Sequence, residues 1–278
     1  MFTENLKNLS EVLLHATYKN GQASQSNLTD PHKCAEHHPY KTQYLFIQGK
    51  KIPRNLYTAR LIQHYLIFKT LEQNLAKYAN DPSIAAFLQL NFAEELSRTQ
   101  GVADDLKKLG INPEKINANK AILATQRYVQ HIGKLNAQEL LIHYSVHVAG
   151  LMFGGPIIKS KYFSASDQLP GYQIPTSEYE FSAALAAAQL GNVAQLFNEL
   201  DAALKKITSE EADSKKLLAE GLSAYSFMAE IYSDLLWNEI YLKQISYAAF
   251  FIASAGAILL AWSMRECATV SVSHCFGF

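Results

Sequence analysis

Apolar residues recur at three- and four-residue intervals along most of this chain, and that spacing predicts helices. The longest such pattern runs from Ile52 to Tyr78 and stops at Asn80-Asp81-Pro82, a combination that ends helices. Comparable patterns predict helices over residues 3–17, over 92–109, over 178–206 with a break near Gly191, and from Thr208 to about Leu242. Strand-type alternation is nowhere sustained. The pattern therefore predicts an all-α protein.

Two asparagines mark the starts of further predicted helices. Asn112 precedes Pro113, which predicts a helix with Asn as its cap and Pro in its first turn. Asn136 stands three residues before Glu139, which predicts a capping box for a helix that runs to Lys159. The segments over residues 19–31 and 160–177 are rich in polar residues, Gly or Pro, and we predict loops there.

Composition restricts the function classes. The 278 residues carry 25 basic and 25 acidic side chains, so the formal net charge is zero, and the sequence has no dense basic run. This balance argues against nucleic acid as a partner. Three cysteines without a CxxC pair exclude a disulfide framework and a cysteine zinc site, and they favour a reducing compartment.

The segment from Ile245 to Met264 has no charged residue over 20 positions and lies between Lys243 and Arg265. At ~1.5 Å per residue, a helix of this length spans the ~30 Å hydrocarbon layer of a membrane. We therefore predict a helical domain over residues 1–242 and a C-terminal hydrophobic tail over 243–278, which is a membrane anchor through residues 245–264. The alternative is a buried terminal helix or an oligomer contact.

A histidine cluster, His32-Lys33-Cys34-Ala35-Glu36-His37-His38, stands at the start of the second predicted helix. Neutral imidazole is a common ligand for iron, zinc and copper, so this cluster is a candidate metal site. His32 and Glu36 lie one helical turn apart. The alternative is an ordinary polar helix start.

Gly150, Gly154 and Gly155 lie within six residues of each other inside a segment with helical flanks. Each interior glycine costs a helix ~1 kcal/mol relative to Ala, so three of them need a reason. Without a Cβ atom, another backbone or a flat ligand can approach closely. Tight helix packing, or a helix end at Gly155-Pro156, is the alternative. Together with the histidine cluster, the glycines suggest a planar cofactor held between two helices.

Six segments resemble, in the same order, motifs of the heme oxygenase family, in particular its eukaryotic-like branch. They are LSEVLLHAT (9–17), HKCAE (32–36), YLIFKTLEQNL (65–75), FAEELSRTQGVADDL (92–106), ATQRYV (124–129) and ELLIHYSVHVAGLMFGG (139–155). The resemblance implies a heme oxygenase-like multi-helical bundle in which His32 is the ligand of the heme iron. Glu36, Gly150, Gly154 and Gly155 are then the other heme-binding positions.

The same resemblance implies an enzyme that opens the heme ring to biliverdin, carbon monoxide and ferrous iron. Heme is then both substrate and prosthetic group, O2 is the oxidant, and an external reductase or ferredoxin-like protein supplies electrons. It also implies a domain on the cytoplasmic face of a membrane, or a soluble cytoplasmic protein if the tail is buried.

Three polar residues that the family places on the distal side of heme are replaced in this chain. The Asp falls on Leu151, the Tyr on Phe68 and the Arg on His147. His143 and His147, one helical turn apart, are therefore the candidate catalytic residues together with Gly150. The replacements keep a non-catalytic heme-binding protein open as the alternative function.

Two further departures concern contact with heme itself. The basic residues that meet the heme propionates in the family fall on Ala194 and Asn198, which favours a third function, a membrane-tethered interaction protein that has lost heme. The chain also has an insertion before His32, which leaves His37 or His38 as alternative iron ligands.

Overall fold

The computed structural model describes residues 6–163, 173–209, 211–255 and 257. Extended pairing in these residues is limited to two isolated bridges, Asn8 with Thr208 and Tyr18 with Leu28, so the all-α prediction is confirmed. In chain order the helices are α1 Leu9–Thr17, α2 Asp30–Glu36, α3 Arg54–Lys77, α4 Ala85–Leu88, α5 Thr99–Lys108, α6 Leu123–Ile132, α7 Ala137–Ile158, α8 Ser182–Ala188, α9 Val193–Lys206 and α10 Glu211–Leu236.

Helix α7 lies at the centre of the bundle and packs against α1, α3 and α9. Together with the π-helical turn that follows it, this stretch, Ala137–Phe163, is the one helix among the described residues that is long and apolar enough to cross a membrane. Most of its apolar window is buried inside the protein. A helix that is apolar all round and enclosed by other helices is a core helix, so α7 is the core helix of the bundle.

Local signals placed several helix boundaries correctly. The predicted capping box is present, because the backbone N–H of Glu139 donates to Asn136 Oδ1 and the N–H of Asn136 donates to Glu139 Oε2, each at 3.0 Å. The long helix predicted from the apolar spacing is α3. The break predicted near Gly191 separates α8 from α9, since α8 ends at Ala188 and its C-cap, Gln189, has a left-handed φ of 56°.

The single helix predicted over residues 92–109 is wrong. A short 3-10 turn at Glu94–Leu96 is followed by a separate helix, α5, which begins at Thr99. The carboxylate of Glu72 in α3 causes the break, because it accepts hydrogen bonds from Ser97 Oγ at 2.6 Å and from the backbone N–H groups of Arg98 and Thr99 at 2.6 and 3.2 Å. A side chain from another helix thus caps α5.

The helix predicted to begin at Asn112 is also wrong. Asn112 does cap a turn, since its Oδ1 accepts a hydrogen bond from the N–H of Glu114 at 2.9 Å, but the turn is a 3-10 helix over Pro113–Lys115. Helix α6 begins only at Leu123. The predicted loop over residues 19–31 contains two short 3-10 turns, and its last two residues are the first two of α2.

The chain divides into two compact units, Met1–Leu235 and a C-terminal unit that begins at Leu236. In it, a π-helical turn at Trp237–Tyr241 is followed by a helix over residues 242–255. The predicted anchor, residues 245–264, begins in this helix, whereas residues 256 and 258–264 lie outside the described residues. The anchor and the domain boundary after residue 242 therefore stay predictions.

Close packing between α5 and the backbone near Ser177 generates a stability test. A Cβ atom on Gly101 would lie 2.7 Å from the carbonyl oxygen of Ser177. That backbone is fixed, because the N–H groups of Ser177 and Glu178 donate to Asp105. We expect Gly101→Ala to lower the free energy of unfolding by about 1–3 kcal/mol, measured by urea denaturation. Gly133→Ala is the matched control, because its Cβ atom would meet nothing closer than 3.6 Å. An equal effect of both substitutions would contradict the packing described.

Candidate functional site

His32 lies on α2 and stacks on the ring of Tyr225 from α10, with 4.3 Å between ring centroids. Its Nδ1 is 3.1 Å from the carbonyl oxygen of Thr17. A carbonyl oxygen only accepts hydrogen bonds, so Nδ1 carries a proton. Its Nε2 lies 3.3 Å from Glu36 Oε2, and this contact lowers the pKa of Glu36. Protein histidines that bind metals show the same arrangement, with one nitrogen held by a carbonyl group and the other directed at the ion.

The other two histidines of the cluster have different surroundings. His37 is exposed. His38 has both ring nitrogens engaged, since Nε2 lies 3.0 Å from Ser233 Oγ and Nδ1 accepts a hydrogen bond from the N–H of Tyr40 at 3.2 Å. Burial lowers the pKa of His38. Of the three imidazoles, His32 is the one whose Nδ1 is fixed by a backbone carbonyl.

The three glycines of α7 divide into two kinds. A Cβ atom on Gly150 or Gly154 would meet nothing within 4 Å, so these positions open onto free space. A Cβ atom on Gly155 would lie 2.9 Å from the ring of Tyr179, so this glycine permits close packing. The helix continues through Pro156 to Ile158, and the alternative of a helix end at Gly155-Pro156 is wrong.

The residues that the resemblance aligns with the distal polar groups of heme oxygenases lie in an apolar interior. Phe68 and Leu151 are buried, and the Phe68 ring lies edge-on to His147, with 5.8 Å between centroids. Burial lowers the pKa of His147 to about 3, so this imidazole is neutral. Ala194 and Asn198 are exposed residues on α9.

His64 belongs to the same interior, and the sequence did not predict it as a site residue. It lies one turn before Phe68 on α3, and their rings are 6.2 Å apart. Its Nδ1 is 2.5 Å from Glu178 Oε1, so Nδ1 donates to the carboxylate and Nε2 keeps its lone pair. Nε2 is buried without a hydrogen-bond partner in the part of the chain that the structure describes. Helical spacing from Phe68 is the one sequence signal that could have identified His64.

A buried ion pair holds His64 in place. The Arg60 guanidinium binds both oxygens of Glu178, at 2.9 and 3.2 Å, and both side chains are almost fully buried. Burial by itself would raise the pKa of Glu178, but the charge of Arg60 and the contact with His64 lower it to about 2. The two backbone N–H groups at Ser177 and Glu178 donate to Asp105, which fixes this turn. Neither Arg60 nor Glu178 was predicted from the sequence as a site residue.

The candidate residues His143 and His147 share one partner, Tyr128 of α6. Its Oη lies 2.9 Å from His143 Nδ1 and 2.8 Å from His147 Nε2. On its other side, His143 Nε2 lies 3.0 Å from Glu220 Oε2, which also contacts His131 Nε2 at 2.7 Å. These hydrogen bonds lower the pKa of Glu220 to about 2. The network joins α6, α7 and α10, and only its two α7 histidines were predicted.

The buried ion pair generates a test at the edge of this site. Glu178→Gln leaves the Arg60 charge buried without a counter-charge, so we expect a loss of about 3–5 kcal/mol in the free energy of unfolding at pH 7. Because the Glu178 pKa is about 2 in the folded protein and 4.5 ordinarily, its contribution is complete above pH 4.5 and is lost as the pH falls to about 2. Urea denaturation should therefore show that the difference in the free energy of unfolding between wild type and variant decreases from pH 4.5 to about pH 2.

The control for this test is Glu180→Gln. Glu180 pairs with Lys159, and its side chain is 49% exposed. An exposed pair of this kind contributes at most about 1 kcal/mol. Similar small losses in both variants would show that the Arg60–Glu178 pair does not have the stabilising role assigned to it.

Comparison with known proteins agrees with this architecture. The family model described as heme oxygenase matches residues 25–234. Heme oxygenase-1 from the cyanobacterium Synechocystis, in complex with heme, is 20% identical with a TM-score of 0.65, covering 88% of this chain and 99% of that one. Heme oxygenase from Leptospira interrogans is 21% identical with a TM-score of 0.62, covering 81% of this chain and 98% of that one.

A third solved structure, heme oxygenase-2 from Synechocystis in complex with heme and NO, is 24% identical with a TM-score of 0.64, covering 82% of this chain and 85% of that one. At these identities the solved structures establish the fold. None of the curated proteins matches the chain. The family model, however, spans well over half of the sequence, and on that basis the chain belongs to the heme oxygenase family.

Proposed function

We propose that this chain binds heme through Nε2 of His32 and opens the ring to biliverdin, carbon monoxide and ferrous iron. O2 is the oxidant, and a separate reductase or ferredoxin-like protein supplies the electrons. The observation that carries the proposal is the hydrogen bond from His32 Nδ1 to Thr17, because it leaves Nε2 as the metal-binding nitrogen.

The residues of the site fit heme. A proton on His32 Nε2 would form an ion pair with Glu36 in the heme-free protein, and iron at Nε2 would take the place of that proton. Gly150 and Gly154 open onto free space on α7, which suits a flat ligand. Gly155 supports the site indirectly, since it lets α7 pack closely on Tyr179.

Bound heme would supply the iron that activates O2 and the ring carbon that is oxidised. The chain's own residues control water and hydrogen bonding beside it. Phe68 and Leu151 keep the interior apolar, and Tyr128 holds His147 through its hydroxyl group. His64 Nε2 is free to accept a hydrogen bond from a water molecule. Two neutral imidazoles, His64 and His147, thus stand in for the family's distal Asp, Tyr and Arg.

The competing function is heme binding without ring opening. The apolar side chains of Phe68 and Leu151 favour it, since neither can hold a water molecule. The neutral, exposed residues Ala194 and Asn198 favour the third function, an interaction protein without heme. Heme binding separates the third function from the other two, and biliverdin formation separates the first two.

The proposal includes attachment to a membrane through residues 245–264, with the domain on the cytoplasmic side. The described part of this segment supports it, because several large apolar side chains are more than half exposed. Exposed apolar surface of this extent is typical of a membrane or protein contact. These side chains are Ile245, Tyr247, Phe250, Phe251 and Ile252.

Hemin titration tests the proposed ligand. We expect the wild-type chain to bind one equivalent of hemin with a shifted Soret band, because His32 provides an axial imidazole. We expect His32→Ala to change the band and weaken binding about tenfold or more. His37→Ala is the matched control in the same cluster and should bind as wild type does. Loss of binding in His37→Ala, or unchanged binding and spectrum in His32→Ala, would contradict the assignment.

A turnover assay distinguishes ring opening from heme binding without ring opening. With a reductase or ascorbate, the visible spectrum of the wild-type complex should change from heme to biliverdin. In His64→Leu we expect about tenfold slower ring opening with unchanged hemin affinity, since about 1.4 kcal/mol of hydrogen bonding is lost near the reacting ring. Stable heme with no biliverdin in the wild type would establish the heme-binding function instead.

A further inference from the structure

Three metal-binding side chains converge where α6, α7 and α10 meet. Glu220 Oε2 of α10 lies 2.7 Å from His131 Nε2 of α6 and 3.0 Å from His143 Nε2 of α7. All three donor atoms lie within 4.8 Å of one another. Each helix contributes one donor, so the arrangement depends on the tertiary fold and not on a local turn.

We propose that His131, His143 and Glu220 form a binding site for a divalent transition metal of the zinc class. Two imidazole nitrogens and one carboxylate oxygen are the donors of many catalytic zinc sites, and the same set binds iron(II). With bonds of ~2.0–2.1 Å in tetrahedral geometry, donor atoms lie about 3.3 Å apart. The two nitrogen–oxygen distances, 2.7 and 3.0 Å, are shorter than this, and the two imidazole nitrogens lie within 4.8 Å of each other. An ion therefore requires the Glu220 carboxylate to withdraw and the two imidazoles to adjust their positions around it.

Tyr128 provides the support that such a site requires. When a metal ion occupies Nε2 of His143, the imidazole proton lies on Nδ1. Nδ1 then donates a hydrogen bond to Tyr128 Oη, which lies 2.9 Å away. The Tyr128 hydroxyl then donates to His147 Nε2 at 2.8 Å. Both hydrogen bonds of the Tyr128 hydroxyl are therefore preserved when the ion binds. Without an ion, the hydrogen bonds point the other way. His147 Nε2 donates to Tyr128 Oη, the Tyr128 hydroxyl donates to His143 Nδ1, and His143 Nε2 donates to Glu220.

Access and charge also suit a cation. His143 is buried, but the side chains of His131 and Glu220 are 31% and 16% exposed, which leaves a path for the ion and an open position for water. The second carboxylate nearby, Glu139, is already paired with Lys216 at 2.5 Å. Glu220 thus provides one net negative charge to the ion. The site shares no residue with the His32 cluster, so the inference does not depend on heme binding.

Metal titration of the heme-free chain tests the site. We expect Co2+ to produce the visible absorption of a four-coordinate nitrogen and oxygen complex, and Zn2+ to displace it. Zn2+ should also raise the melting temperature, because the ion joins three helices. His131→Ala and Glu220→Gln should weaken binding about 100-fold and abolish the rise in melting temperature.

Two controls keep the result interpretable. Glu230→Gln changes another glutamate of α10, one that forms an exposed pair with Arg127, and should bind metal as wild type does. His131→Ala alters a side chain that is 31% exposed, so we expect the variant to fold, and circular dichroism verifies this. An unchanged Co2+ spectrum and Zn2+ stabilisation in folded His131→Ala would overturn the proposal, as would the absence of metal binding by wild type. Loss of binding in Glu230→Gln would overturn it as well.

Discussion

The buried carboxylate of Glu178 is the interaction on which the interior of the domain depends. It neutralises Arg60 inside α3, and its own backbone N–H is held by Asp105 of α5, so one short turn joins two helices. A buried charge without its partner is far more costly than a lost surface pair, which makes this contact hard to remove. The same carboxylate sets the tautomer of His64 and leaves its Nε2 facing the interior as an acceptor. The orientation of His64 beside Phe68 therefore depends on the Arg60–Glu178 ion pair.

Local signals in the sequence predicted the long helices, the capping box at Asn136 and the pairing of His143 with His147 on one helix. They failed where a distant side chain intervened. Glu72 interrupts the helix predicted over residues 92–109, although no residue near the break indicates it. His64 and Glu178 are 114 residues apart, and His143 and Glu220 are 77 apart, so their contacts arise only from packing. Part of the predicted anchor lies outside the described residues, and the anchor stays a prediction.

The replacements that the resemblance assigns to the family's distal residues form a coherent pattern. The aligned Asp and Tyr are exchanged for the apolar side chains of Leu151 and Phe68. The aligned Arg is exchanged for His147, an imidazole that burial keeps neutral by lowering its pKa. Helix α10 connects the two candidate sites, since Tyr225 stacks on His32 and Glu220 binds His131 and His143. The family fold is thus retained around a different set of hydrogen-bonding groups.

The most direct test of the central claim is the structure of the heme complex. The proposed binding mode predicts iron bound to Nε2 of His32, with the hydrogen bond from Nδ1 to Thr17 retained and Glu36 displaced from Nε2. It also predicts the heme plane against α7 at Gly150 and Gly154. Iron bound to His37 or His38, or heme bound away from these two glycines, would contradict it.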